Sequence, residues 1–146
     1  IPDTDLAAGV QAALATVDAT NAATIALLAA AMAGDLVLGI NPATHDRAAT
    51  TEAWTRDVVI TLKNAAGDTH TWYNGTLTVA IADESTAGTA SITNTTPTMT
   101  AGVCTVTVSG DAAAWLEDET NTLTVSDQTI MGYTVTGGTS VETITA

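Results

Sequence analysis

The spacing of the hydrophobic residues changes once along the chain, near residue 34, and this change is what most constrains the fold. Before it, the larger apolar side chains recur every three or four residues; after it, they alternate with polar ones. The first spacing is typical of an α-helix and the second of β-strands. The 146 residues are enough for one ordinary domain with an appendage. The sequence therefore predicts an N-terminal helix followed by a β-domain.

The predicted helix runs from Asp5 to Ala33. Thirteen of these 29 residues are alanine, none is proline, and Gly34 follows where a helix would end. Apart from Leu27, the larger residues follow the spacing 4-4-3-4-4-3-4, which keeps them on one stripe of the helix, about 100° wide. The stripe consists of Leu6, Val10, Leu14, Val17, Asn21, Ile25, Leu28 and Met32.

This stripe has two interpretations: it packs along its own domain, or it packs against other copies of the chain. Asn21 lies in the middle of the stripe, where a polar residue sets the register and number of associating helices. The rest of the helix surface carries only Asp5 and Asp18 as charged residues. We favour a homotrimer, in which the stripe is the oligomer interface and residues 1–34 form the oligomerisation and attachment helix.

Residues 35–56 are predicted to form a connecting arm. They include two of the three basic residues of the chain, Arg47 and Arg56, and one of its three tryptophans, Trp54. Arginine and tryptophan are enriched at the centres of protein interfaces. We therefore predict that Arg47, Trp54 and Arg56 attach the protein to a partner surface.

Residues 57–146 are predicted to form an antiparallel β-sandwich, because short alternating segments are separated there by regular turn signals. Hydroxyl-bearing residues alternate with aliphatic ones, so one face of each strand is expected in water and the other in the core. A crossover at Ala112–Leu116 interrupts the strands, and its Trp115 is expected to close one end of the sandwich. The expected strands lie at 58–63, 70–73, 76–81, 89–92, 103–108, 122–125, 130–135 and 141–144.

No motif predicts a catalytic residue, a metal ligand or a cofactor site. His45 and His70 are far apart in the sequence and have no cysteine partner, so they do not indicate a zinc site. The acidic runs Asp83-Glu84 and Glu117–Glu119 do not match the spacing of a calcium loop. Cys104 lies in a strand-like alternation and is predicted to be a buried, inert thiol.

The charge of the chain restricts its partners. Three Lys+Arg residues against sixteen Asp+Glu residues give a formal net charge of −13. So few cations exclude binding to nucleic acid through its phosphates, and an anionic membrane surface would repel the chain. The uncharged run Ala19–Gly34 is too rich in alanine to be a membrane span. The sequence therefore predicts protein partners, with no nucleic acid and no membrane.

The runs Arg56–Gly75, Ala101–Gly110 and Trp115–Ser126 share a pattern in which a turn glycine leads into an alternating strand, a tryptophan crossover and a threonine-rich strand. This pattern resembles the immunoglobulin-like modules of tailed-bacteriophage capsid decoration (cement) and head-fibre proteins. The resemblance implies an immunoglobulin-like sandwich on the outer capsid surface of the virion, bound to the major capsid protein, often as a trimer and without enzymatic activity.

The predicted fold is therefore mainly β, with a long N-terminal α-helix followed by an immunoglobulin-like antiparallel β-sandwich. Two other functions remain open. A filament subunit of the pilin type also places a helix before such a domain, although its helix must be apolar on all sides and Gln11 and Asp18 are polar. A cell-surface adhesin that binds carbohydrate needs exposed aromatic residues, for which His70, Trp72 and Tyr73 are available.

Overall fold

The computed structural model describes residues 10–23, 36–130 and 132–146. The chain divides into two compact units, Ile1–Asp35 and Leu36–Ala146. In the first unit, residues 10–23 form an α-helix whose side chains are all exposed. The other residues of the predicted helix at 5–33 lie outside the described residues.

The described part of the second unit consists of ten β-strands and their connections. In chain order they are β1 (Val37–Asn41), β2 (Thr44–Ala48), β3 (Trp54–Lys63), β4 (Val79–Asp83), β5 (Ala90–Ile92), β6 (Val103–Gly110), β7 (Thr120–Val125), β8 (Gln128–Ile130), β9 (Tyr133–Val135) and β10 (Gly138–Thr145). Several of these strands alternate strictly between buried and exposed residues, as a strand with one face in the core must.

The strands form two four-stranded sheets and a separate hairpin. One sheet has the order β1-β3-β6-β5, the other has the order β2-β10-β7-β4, and β8 pairs with β9. The first sheet and the β4-β7-β10 part of the second have the strand order of an immunoglobulin-like sandwich. The predicted fold class, mainly β with an N-terminal helix and such a sandwich, is confirmed. The second sheet is mixed rather than purely antiparallel, because β2 runs parallel to β10.

The predicted connecting arm at 35–56 is wrong, because these residues belong to the sandwich. β1 pairs with β3, with Val37 opposite Lys63, and β2 pairs with β10, with Thr44 opposite Val141. Both strands are only five residues long. The inward positions of β2 carry charged and polar residues instead of aliphatic ones. The strand therefore lacks the alternation of apolar and polar residues by which a strand is recognised in a sequence.

The region after β3 also differs from the prediction. Residues 70–73 are not a strand, and Asn74-Gly75 is not a tight turn between strands. Gly75 has a different role: a side chain there would overlap the ring of Tyr73, which lies against it. The glycine is required for this close approach and not for a hairpin. The strand that follows begins at Val79.

The core lies between the two sheets and is formed by inward residues of most of the strands and by apolar residues of the connections between them. Cys104 is buried as predicted, and its burial raises the pKa of the thiol above the ordinary value. Trp115 is 1% exposed and packs at the end of the sandwich, as expected. The other fully buried large residues include Val58, Ile60, Leu62, Leu77, Val79, Met99, Val106, Val108, Leu123 and Ile144.

Candidate functional site

Four of the residues predicted to form the oligomer interface lie in the described helix. Val10, Leu14 and Val17 are 58%, 62% and 54% exposed, and Asn21 is also exposed. Their spacing of four, three and four residues places them on one face of the helix. The remaining predicted interface residues, Leu6, Ile25, Leu28 and Met32, lie outside the described residues.

The three predicted attachment residues meet in one cluster, but two of them are buried. Trp54 and Arg56 are each 7% exposed, because they occupy inward positions of β3, on the same face of the strand as Val58. Their prediction as surface anchors is therefore wrong: inward positions face the opposite sheet and not a partner. The side chain of Arg47, at 20% exposure, is the one of the three that keeps an accessible surface.

The cluster surrounds Glu142, whose side chain is completely buried. Arg47 donates from Nε to Oε1 and from Nη2 to Oε2, both at 3.2 Å. Asn121 Nδ2 donates to Oε1 at 3.2 Å. Arg56 Nε lies 3.2 Å from Oε2, and His45 Nδ1 lies 3.0 Å from the same oxygen. Glu142 thus accepts hydrogen bonds from Arg47 and Asn121, and Arg56 adds a second positive charge beside it. A carboxylate removed from water is tolerated only with such partners.

Arg56 connects the two sheets through this cluster. Its Nη1 donates to Ser140 Oγ at 2.8 Å, and its Nη2 donates to Asn121 Oδ1 at 3.2 Å. The Ser140 hydroxyl in turn donates to the carbonyl of Pro42 at 2.6 Å. Burial lowers the pKa of Arg56, Glu142 raises it and Arg47 lowers it. An arginine pKa is so high that the guanidinium keeps its charge despite the net lowering.

Two tryptophans close the sandwich beside the cluster. The rings of Trp54 and Trp115 meet edge to face, with centroids 5.1 Å apart, and the Arg47 guanidinium lies 4.3 Å from the centre of the Trp54 ring. A side chain at Gly110 would overlap Trp54, and one at Gly88 would overlap Trp115. Each indole therefore packs directly on a glycine backbone, and this end of the sandwich is tightly packed.

Two shallow clefts flank this end. One has a volume of about 490 Å³ and is lined by residues 45–48, 50 and 52–54. The other has about 450 Å³, is lined by residues 49–51 and 114–116, and shares Thr50 with the first. The first cleft carries charges of both signs, Arg47 with Asp46 and Glu52, so it does not select a ligand by charge.

The predicted acidic runs are held by hydrogen bonds within the domain. Glu119, only 8% exposed, accepts hydrogen bonds from the backbone amide of Thr86 at 2.6 Å, from the Thr86 hydroxyl, and from the amide of Leu116 at 2.8 Å. These hydrogen bonds lower the pKa of Glu119, led by the one from the Thr86 hydroxyl. Within the described residues, no three acidic, histidine or cysteine side chains are arranged to hold a metal ion.

Three aromatic side chains, His70, Trp72 and Tyr73, form a group in the loop after β3, where the sequence pattern predicted a strand. Trp72 is 45% exposed, and its Nε1 donates to His70 Nδ1 at 3.0 Å. The Trp72 ring meets the rings of His70 and Tyr73 edge to face, at centroid distances of 5.6 and 5.9 Å. Tyr73 packs against the core, whereas Trp72 does not. The fixed orientation of the Trp72 ring depends on the conformation of the loop, which residue spacing does not predict.

The sequence matches no protein-family model and no curated protein. Among solved structures, the chain is similar to WR4, an MSP family member of C. elegans, with a TM-score of 0.45 and 8% sequence identity over 74% of this chain and 97% of that one. In residues 10–23, 36–130 and 132–146, no helix is long and apolar enough to cross a membrane.

Proposed function

We propose that the protein is a non-enzymatic structural protein of a virion. In this proposal it is a capsid decoration (cement) or head-fibre protein, which binds the major capsid protein on the outer capsid surface as a homotrimer. The observation that carries the proposal is the exposed apolar helix face at Val10, Leu14 and Val17, in a chain whose second unit is an immunoglobulin-like sandwich with its own core.

The helix face supports assembly with other copies of the chain. More than half of each of the three aliphatic side chains is exposed, and burying one such side chain fully contributes about 1.5–3 kcal/mol. The face has the helical spacing that a second helix with the same sequence can match. Asn21 on the same face provides the polar position that fixes register and copy number.

The sandwich supports the role of a projecting module. It encloses its apolar residues and leaves largely polar strand faces exposed, and the chain carries a net charge of −13. Like-charged modules on a particle surface repel one another and keep the particles soluble. Because Trp54 and Arg56 are core residues, the proposed capsid contact is made by residues 1–34, in an interface of about 1,200–2,000 Å².

Size-exclusion chromatography with light scattering tests the assembly. We expect the full chain to have the mass of a trimer and Leu14→Asp to shift it to monomer, because the new charge lies in the interface. Ala19→Asp is the matched control: it adds the same charge on the opposite side of the helix and should leave a trimer. A full chain that is monomeric, or that grows into a polymer as a filament subunit would, contradicts the proposal.

Co-sedimentation with tailed-phage capsids stripped of their decoration proteins tests the capsid role. We expect the full chain to bind the capsids of its own virus at a saturable ratio, Ala19→Asp to bind equally, and Leu14→Asp to bind at least about tenfold more weakly. Trimers that bind none of these capsids would reject the capsid role and leave the assembly result intact.

A further inference from the structure

The Trp72 indole is exposed and yet held in one orientation. Its N–H donates to His70, and its ring meets the rings of His70 and Tyr73 in T-shaped contacts. With these contacts in place, Trp72 is still 45% exposed. An exposed tryptophan that is free to move loses side-chain entropy when it binds a ligand, whereas one that is already fixed does not.

The loop beneath the ring is also fixed. The amide of His70 donates to the carbonyl of Leu62 at 2.8 Å, and the amide of Gly102 donates to the carbonyl of Tyr73 at 2.7 Å. Asn74 accepts from the amide of Ala101 at 2.9 Å. The chain on both sides of Trp72 is therefore bonded to the sandwich, which presents the ring as a rigid surface feature.

We propose that Trp72 is a binding platform for a neutral saccharide, with one pyranose ring lying on the exposed face of the indole. The C–H bonds of a pyranose carry small positive charges that are attracted to the negative face of an aromatic ring. Thr69 and Thr71 precede Trp72 in the same loop and are exposed, and their hydroxyl groups can bond to sugar hydroxyls.

The charges of the molecule favour a neutral ligand over an anionic one. Residues 64–76 contain no lysine or arginine, and Lys63, which pairs with Thr69, has its side chain beside Gly39. The chain as a whole carries a net charge of −13. Residues 69–76 contain no carboxylate, so this segment offers a cation no counter-charge. This inference does not depend on the virion role.

Nuclear magnetic resonance of the full chain tests the platform, with maltohexaose, cellohexaose and chitohexaose as probes at up to about 10 mM. The three tryptophans give three indole N–H signals, of which Trp54 and Trp115 report on buried rings. We expect at least one probe to shift the Trp72 signal and the amides of residues 69–74 in a saturable way, while the signals of the buried rings stay in place.

Substitutions identify the residues responsible. Trp72→Ala should weaken binding at least about tenfold, whereas Leu116→Ala, which removes another exposed large apolar side chain at 52% exposure, should leave it unchanged. His70→Ala should weaken binding less than Trp72→Ala, because it removes the hydrogen bond and the ring contact that orient Trp72 but leaves the indole in place. Trp72→Phe should retain part of the affinity.

Three results would overturn the inference. One is the absence of any Trp72 shift with all three oligosaccharides. Another is unchanged saccharide affinity in Trp72→Ala with an intact spectrum. The third is a Trp72 shift caused by choline or by a proline decapeptide but by none of the sugars, which would assign the platform to a cation or to a peptide.

Discussion

The helix and the sandwich place apolar and charged side chains in opposite ways. In the helix, Leu14 is 62% exposed; in the sandwich, Glu142 is 0% exposed and Arg56 is 7% exposed. The carboxylate is buried because Arg47 and Asn121 donate hydrogen bonds to it and Arg56 adds a second positive charge beside it. Whether a side chain is buried therefore depends more on the partners that it finds than on its residue type.

The largest expected effect comes from removing the charge at the centre of the buried cluster. Glu142→Gln leaves Arg47 and Arg56 facing a neutral amide, and we expect the free energy of unfolding to fall by about 3–5 kcal/mol. Denaturant unfolding followed by tryptophan fluorescence measures this, because all three tryptophans lie in the second unit. Glu117→Gln, at an exposed position, is the control and should change stability by less than about 0.5 kcal/mol. A loss below about 1 kcal/mol in Glu142→Gln would show that the cluster does not need its carboxylate.

The same substitution in both regions tests the comparison directly. Leu123 is completely buried, so Leu123→Ala should lower the free energy of unfolding of the sandwich by about 2–5 kcal/mol. Leu14→Ala should change the same transition by less than about 0.5 kcal/mol. If Leu14→Ala destabilised the sandwich as strongly as Leu123→Ala, the exposure of the helix face would be contradicted.

A smaller loss of stability is expected at Glu119, a buried carboxylate whose hydrogen-bond donors are neutral, whereas those of Glu142 include a cation. The pKa of Glu119 is lower in the folded chain than its ordinary value, so its charge adds stability above that value, and this stability is lost as the pH falls through the folded pKa. Glu119→Gln should be about 1–2 kcal/mol less stable than the unchanged chain at pH 7. This difference should shrink as the pH falls below about 4. A difference that stays constant from neutral to acidic pH would mean that the carboxylate charge has no such role.

Much of the sandwich could be predicted from alternation, and the error at Trp54 and Arg56 has a physical cause. Residues 58–63 and 103–108 alternate aliphatic side chains with others and were correctly predicted as strands. Trp54 and Arg56 continue the same alternation toward the N-terminus, with Val58 on the same face. The signal for their burial was thus present in the sequence, but an arginine at an inward position does not look like core until the carboxylate that pairs with it is known.

The exposed aromatic platform could not be predicted in the same way. His70, Trp72 and Tyr73 are close in sequence, and a strand would have placed Trp72 and His70 on one face. The loop that forms instead is held by contacts with residues near 101 and by the fit of Tyr73 on Gly75. The residues near 101 are distant in sequence, and the fit of Tyr73 on Gly75 depends on a close approach of ring and backbone. Residue spacing predicts neither contact.

The sequence by itself determined the order of helix and β-domain, the core face of the longer strands and the acidity of the chain, because these follow from residue spacing and composition. Only the tertiary structure decided that the segment after the helix contributes two strands, and that Arg56 meets Glu142 across 86 residues of chain. Spacing describes which residues share a face, whereas pairing between distant strands depends on contacts that no local pattern contains.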